Sequence, residues 1–200
     1  MGVRERRERE RQQRKAAILE ATRDIAAREG WQAATIRRVA DALELSTPTI
    51  YEHFDSKDAI LGELVQNGYR RCLATLRSAR ARTEDPQLAL VGMGQAYWDF
   101  AWDSPELFHV MHGLGGVPFS QAGLPPEAQA AHAEVQGAML AAAGGGQRAH
   151  ATADHHAILF WATLHGLITL AMVGRVPGGT ARAAELVEPA VRATLPTWAG

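Results

Sequence analysis

Residues Thr35–Lys57 read TIRRVADALELSTPTIYEHFDSK, and the fold is decided by how this stretch is parsed. Thr35 puts a side-chain acceptor just before a periodic apolar run, where the free N–H groups of a helix start need one. Ile36, Val39, Ala40 and Leu43 then recur at three- and four-residue spacing, predicting a short helix that buries them. Glu44 and Leu45 make a turn, and Ser46 caps a second helix that starts near Thr47. Pro48 suits the first turn of that helix, because the N–H it lacks would have no intrahelical partner there. Ile50 and Phe54 point inward, Thr47, Thr49, Glu52 and His53 face outward, and Tyr51 lies on the border. Two short helices, a tight turn and small Ala40 at the crossing form the grammar of a helix-turn-helix. Many helical hairpins share that grammar, so the flanking sequence has to discriminate.

Upstream, Ile18, Ala21 and Ile25, flanked by Leu19 and Ala26, form one apolar stripe of a helix from about Arg11 to Arg28, which Gly30 ends. Downstream, Asp55 or Ser56 caps a long helix to about Arg82. Turns at Thr83–Pro86, Gly113–Pro126, Gly144–Thr152 and Pro177–Thr180 divide the rest into about five more helices. Strand-like alternation is short throughout, so the expected fold is all-α. It comprises an N-terminal arm and three-helix head over 1–57 and a helical body over 58–200.

With its ILEAT…AREGW segment before it and IYEHFDSKDAIL after it, this stretch resembles the N-terminal domain of the TetR family over roughly residues 15–61. The run Ser46–Leu61, S-x-P-T-I-Y-x-H-F-x-S-K-x-x-I-L, is similar to that family's recognition helix and the entry to its fourth helix. The resemblance implies a dimeric, ligand-responsive transcription regulator, with double-stranded DNA and a small-molecule effector as partners and no cofactor. Thr47, Pro48 and Thr49 would then meet base edges, Pro48 suiting a thymine methyl, while Ser46 caps their helix and is counted with them. Tyr51 and His53 would bond phosphates, and Thr35 and Lys57 would clamp the backbone at helix N-termini. Each residue also has a plainer reading: Tyr51 as core cover, Lys57 as a surface cation, Thr35 as a cap only. Two features depart from the family pattern. Glu44 stands where a glycine is common, so the bend is expected to differ locally. The recognition helix carries no arginine, asparagine or glutamine for bidentate base contacts, so discrimination per contact should be modest and DNA shape should matter more.

Charge supports a nucleic-acid contact at one end. Net charge is −1, yet residues 1–15 hold six arginines and Lys15 against three glutamates, net +4, on a body of −5. Phosphate attraction needs such clustering rather than a high overall pI. The arm, Arg4 to Arg14, is expected to fray in solution and to enter a minor groove or track phosphates on binding. A solvated helix start is the bland alternative. A charged N-terminus without a secretory h-region and a single cysteine, Cys72, fit a cytoplasmic protein. The longest apolar stretch, Ile158–Gly174, is seventeen residues and contains His165, short of the roughly 20 a span requires, so no membrane partner is expected.

In the body, FWATLHGLITL (Phe160–Leu170) resembles the W-x-x-x-H-G signature of one TetR C-terminal subclass. Trp161 and His165 share a helix face, and Gly166 permits close approach of another helix. Packing around a satisfied histidine is the plainer reading of that pair. Tyr97, Trp98, Phe100, Trp102, Phe108 and Met111 could wall a pocket or fill a core. The candidate effector set is therefore Trp98, Trp102, Phe108, Met111, His112, Trp161 and His165. The helix near Asp154–Val173 is apolar nearly all round, so one face should meet its own core and the other a second subunit. The candidate dimer residues are His155, Ile158, Leu159, Ala162, Gly166 and Thr169, and Pro189 is expected to kink the last helix. No metal site is expected, since the pairs His109/His112 and His155/His156 have no cysteine and few carboxylates nearby. No nucleophile elbow, zinc helix or phosphate loop appears, which argues against an enzyme. A helical ligand-binding protein with a degenerate DNA-binding head is the alternative.

Overall fold

A computed structural model of the chain describes residues 2–114 and 124–195. Among them the helices run α1 (Val3–Glu29), α2 (Ile36–Ala42), α3 (Thr47–Tyr51), α4 (Lys57–Arg80), α5 (Pro86–Asp103), α6 (Pro105–Met111), α7 (Pro126–Ala142), α8 (Gln147–Met172), α9 (Gly179–Glu185) and α10 (Val187–Thr194). No strand occurs among the described residues. Two compact units divide them: one runs up to Gly68 and includes the segment beginning at Ser104, and the other holds Tyr69–Asp103 and the segment from Leu124.

The first unit encloses Ile18, Ile25, Ala34, Val39, Ala40, Ile50, Phe54, Ile60 and Leu64, none more than 4% exposed. Here α1 packs on α2 and α6, and α2 on α3. Ile36 and Leu43, expected inside, are only half-buried, since so short a helix sinks one turn and holds Val39 and Ala40 innermost. The arm is helical rather than frayed, with α1 starting at Val3. Local bonds account for this: the Gly2 N–H donates to Glu5 (3.0 Å), Gln12 donates to Glu8 (2.7 Å), and Arg6 pairs with Glu10 (3.6 Å). At the far end of this unit Arg23 reaches the buried Glu106 of α6, with Nη2 at 2.7 Å and Nε at 3.2 Å from Oε1.

The second unit packs α8 on α7 and α10, with α5 against both of those partners. Leu90, Met93, Tyr97, Val135, Met139, Phe160, Leu164, Ile168, Val187 and Val191 are almost fully enclosed. A Cβ on Gly94 would collide with the γ-methyl of Val191, so glycine there sets how closely α5 approaches α10. Arg77 and Arg80 both reach Glu134 of α7, at 3.1 and 2.8 Å, which ties down the second half of α4 and holds the Glu134 carboxyl below its usual range against the opposing effect of burial.

Several boundaries differ from expectation. The Gly144–Thr152 turn shrinks to three glycines, all at positive φ, so α8 begins at Gln147 rather than near Asp154. With 26 residues, α8 is longer than the apolar stretch alone suggested, and by length and composition it could cross a membrane, a test that a core helix also passes. However, it buries Phe160, Leu164 and Ile168 within its own unit and carries Arg148, Asp154, His155 and His156 in its first half. Ser104 and Pro105 split off α6 as a separate helix, a sixth after α4. Pro189 does not kink a continuous helix. The chain breaks at Leu186, because proline at 189 lacks an N–H and crowds the carbonyl of Glu185, so the helix restarts at Val187. Most of the expected Gly113–Pro126 turn lies outside the described residues.

Candidate nucleic-acid interface

Thr35 and Ser46 cap as anticipated: Thr35 Oγ1 accepts the Arg38 N–H (3.3 Å), and Ser46 Oγ accepts the Thr49 N–H (3.3 Å). Ser56 does the same for α4 through the Ala59 N–H (3.1 Å). Between α2 and α3, Glu44 adopts φ +54°, so the family's bend is retained and the expectation of a different local turn is corrected. The Leu45 N–H donates to Ala40 O (2.9 Å) and the Glu44 N–H to Asp41 O (3.2 Å), the paired bonds of a Schellman close. These bonds offset the left-handed strain of about 1–2 kcal/mol that a Cβ brings. Glu44→Gly removes the strain but frees the unfolded chain, so a net gain of about 0.5–1 kcal/mol is expected. Urea unfolding would read it as a raised midpoint at unchanged slope, and an unmoved midpoint would show the turn to be unstrained.

The five residues of α3 are pinned by Ile50, fully buried, with Phe54 just beyond. Their outer side leaves Pro48, Tyr51 (50% exposed) and Glu52 in solvent, with Thr47 and Thr49 half-covered. The Thr49 hydroxyl lies 2.8 Å from that of Ser46, so one of the candidate base-reading hydroxyls is held within the helix turn. Lys57, first residue of α4, donates to Trp31 O at 3.3 Å; an ammonium has three hydrogens, so donors are left for an anion.

His53 is half-buried, and its Nδ1 is enclosed without a partner. Burial, and then Arg14, lower its pKa below the usual histidine value; Arg11 and Lys15 add to this and Glu52 opposes it. Three cations of α1 are therefore within electrostatic reach of the end of α3. Lys15 Nζ also lies over the Phe54 ring at 4.9 Å and 3.5 Å from Glu63. The helix expected from about Arg11 already holds these three cations, but spacing along α1 does not show that their face is turned toward the end of α3. Arg37, highly exposed on α2 and only 4.0 Å from Asp41, is a further cation that the motif alone does not single out, although it follows the Thr35 cap closely. Its neighbour Arg38 forks onto Glu29, both N–O distances 2.6 Å, and joins α2 to the end of α1.

The proposed effector residues fall into two groups. Phe108, Met111 and His112 belong to α6 and its end in the first unit. There Phe108 and Met111 are buried, the thioether of Met111 fills the space over Gly68, and His112 Nδ1 lies 2.8 Å from Phe108 O. Trp98 and Trp102 of α5 meet at 5.6 Å in the second unit, where Trp161 stands edge-on to Tyr97 at 4.9 Å. Burial holds the pKa of His165, half-buried on α8, below the usual histidine range. The indole nitrogens of Trp102 and Trp161 and the Thr169 hydroxyl are enclosed without partners. A separate open cleft of about 570 Å³ between α4 and α5 has a mixed lining, with Arg71, Arg82, Gln95 and Asp99 beside Ala74, Ala96 and Phe100. Of the proposed dimer residues, His155, Ile158 (52% exposed), Leu159 and Ala162 are exposed, and Gly166 has open space where a Cβ would be. No group of three or more metal-ligating side chains converges among the described residues.

A short capped helix, held outward by a three-helix core and bordered by cations on an otherwise helical chain, defines a helix-turn-helix regulator. Residues 18–64 match the sequence model of bacterial regulatory proteins of the tetR family, and residues 90–194 match that of the tetracyclin repressor-like C-terminal domain. The chain belongs to the TetR family of DNA-binding transcription regulators. FasR of Mycolicibacterium smegmatis, an HTH-type transcriptional activator, is 28% identical over 90 residues, 45% of this chain and 41% of FasR. KstR2 of Rhodococcus jostii, an HTH-type transcriptional repressor, is 30% identical over 78 residues, 36% of this chain and 38% of KstR2. The matches thus span about two fifths of these curated relatives. Over the whole fold, the crystal structure of SCO4313 superposes with a TM-score of 0.76 at 28% identity, covering 94% of this chain and 98% of that one.

Proposed function

We propose that the protein is a cytoplasmic homodimeric repressor that holds a near-palindromic operator and releases it when a small hydrophobic effector occupies the helical body. The observation that carries this reading is the solvent-facing side of α3, with Pro48, Tyr51 and Glu52 outward, Arg11, Arg14 and Lys15 acting electrostatically on His53 at its end, and Lys57 following at the start of α4. Thr47, Pro48 and Thr49 read base edges, while Thr35, Tyr51, His53 and Lys57 hold phosphates. The dimer is supported by the apolar stripe of Ile158, Leu159 and Ala162 on α8, which a second copy would cover, placing recognition helices about 34–36 Å apart. Effector binding is supported by the partnerless indole nitrogens and hydroxyl inside the second unit, since buried polar atoms normally find a partner. FasR activates and KstR2 represses, so the sign of regulation is read from transcription with and without the effector.

A duplex recovered from a random library by the wild-type protein supplies the test. Tyr51→Ala/Lys57→Ala should weaken binding to every sequence and flatten the salt dependence by about 0.9 for each phosphate no longer neutralised, while thermal stabilisation by apolar compounds survives. A wild-type protein without salt-sensitive preference for any duplex defeats the regulator reading and leaves the ligand-binding alternative. Compounds that stabilise the protein yet leave DNA bound defeat the coupling.

His53 gives the reading a pH signature. In the free protein its lowered pKa favours the neutral ring, so that contribution to stability is present above about 6.5 and lost as pH falls through the lowered value. A phosphate beside the ring reverses the preference, so binding takes up a proton and the duplex should bind several-fold tighter at pH 6 than at pH 8, beyond any change in His53→Gln. Equal pH dependence in both proteins would remove His53 from the interface.

A further inference from the structure

The arm of α1 is helical although it has nothing apolar to pack. From Arg4 to Lys15 no hydrophobic side chain occurs, and all these residues but the half-buried Lys15 are exposed. At 3.6 residues per turn, Arg4, Arg7, Arg11, Arg14 and Lys15 fall within about 100° of arc, with the three glutamates outside it. Those glutamates are engaged elsewhere: Glu5 accepts the Gly2 N–H, Glu8 accepts the Gln12 amide, and Glu10 pairs with Arg6. Among the described residues Arg4, Arg7, Arg11 and Arg14 form no ion pair of their own, whereas Arg6 does. The stripe does not wander from the interface: Lys15 Nζ lies over the Phe54 ring at 4.9 Å just beyond α3, and Arg11 and Arg14 bear electrostatically on His53 there. It also lies upstream of residue 18, where the match to the family's DNA-binding domain begins.

We infer that this basic face is a second, preformed contact surface for the same duplex, running along one strand's phosphates beyond the reach of α3. The inference rests on the regulator reading above. A face without apolar side chains has nothing to offer a protein core, whereas a row of guanidinium groups matches a polyanion. From Arg4 to Arg14 the helix is about 15 Å long, the rise of about four nucleotides on one strand. The helix is already formed, so no ordering cost falls on binding, unlike an arm that folds into a groove. Because α3 offers few bidentate base readers, much of the affinity of this protein resides in that row, and little of its specificity.

The test is anisotropy titration of full-length protein against the selected duplex at several salt concentrations. Arg4→Gln/Arg7→Gln/Arg11→Gln should weaken binding on the order of 10- to 100-fold at 0.1 M salt and lower the slope of log K against log salt by about 2–3, with sequence preference unchanged. The off-stripe pair Arg6→Gln/Arg9→Gln should weaken it by about threefold at most, and the stripe changed to lysine should keep most of the slope. Equal effects from the two glutamine sets per charge removed, or no effect from the stripe set while wild type binds, overturn the inference and leave the regulator reading standing. Absence of wild-type binding overturns both.

Discussion

Ile50→Ala is expected to destabilise the first unit by about 2–5 kcal/mol and to abolish operator binding. Ile50 is fully buried, and it is the one buried side chain inside a recognition helix of five residues. A helix that short has no independent stability, so its outward face is positioned by the cap at Ser46, the bend at Glu44 and the anchors Ile50 and Phe54. Removing one anchor leaves a cavity beneath the residues proposed to touch DNA, and small displacements there uncouple several interactions at once. Ile50→Val should cost only about 0.5–1.5 kcal/mol and retain binding. Urea unfolding followed by anisotropy separates the two effects. Wild-type affinity in a destabilised Ile50→Ala protein would show that α3 is held by other side chains, or that it is not the reading element.

Arg23→Ala should cost about 2–4 kcal/mol, most of it from stranding Glu106 rather than from the missing attraction. Glu106 is 8% exposed and belongs to α6, a segment distant in sequence that the fold nonetheless packs against α1. Breaking a buried ion pair from one side typically costs about 3–5 kcal/mol, and the range is lowered here because the Arg23 side chain keeps 25% of its surface in solvent and a second acceptor, Glu20, at 3.5 Å. Arg23→Ala/Glu106→Leu should therefore recover much of the stability, because neither charge is then left alone. A thermal double-mutant cycle gives the coupling directly. A coupling near zero would mean that solvent already screens the pair and that α6 is seated by Leu107, Phe108 and Met111 alone.

Much of the head is legible in the sequence because its signals are local. Threonine or serine before an apolar run, proline in a first turn and apolar residues at three- and four-residue spacing each name a backbone state without reference to the rest of the chain, and Thr35, Ser46 and Pro48 adopt those states. Glu44 misleads because the cost of left-handed geometry is local, whereas the Schellman bonds that offset it depend on where α2 ends. The arm misleads for a related reason. Its composition suggests fraying, but the i to i+4 spacing of its charges supports a helix. In the body, Pro189 marks a disruption correctly but not its place, which falls at Leu186 where the ring's clash with the preceding turn is relieved.

The amino-acid order alone determined an all-helical chain, a capped helix-turn-helix and which sides of those helices are polar, because periodicity and capping are properties of neighbours within one turn. Tertiary structure decided that Phe108, Met111 and His112 belong to the first unit and Trp98 and Trp161 to the second. It also decided that Arg11, Arg14 and Lys15 act electrostatically on His53, and that Arg23 meets Glu106 across 83 positions. Such pairings are set by how whole helix faces pack, and a residue's spacing from its neighbours does not encode the face that will cover it.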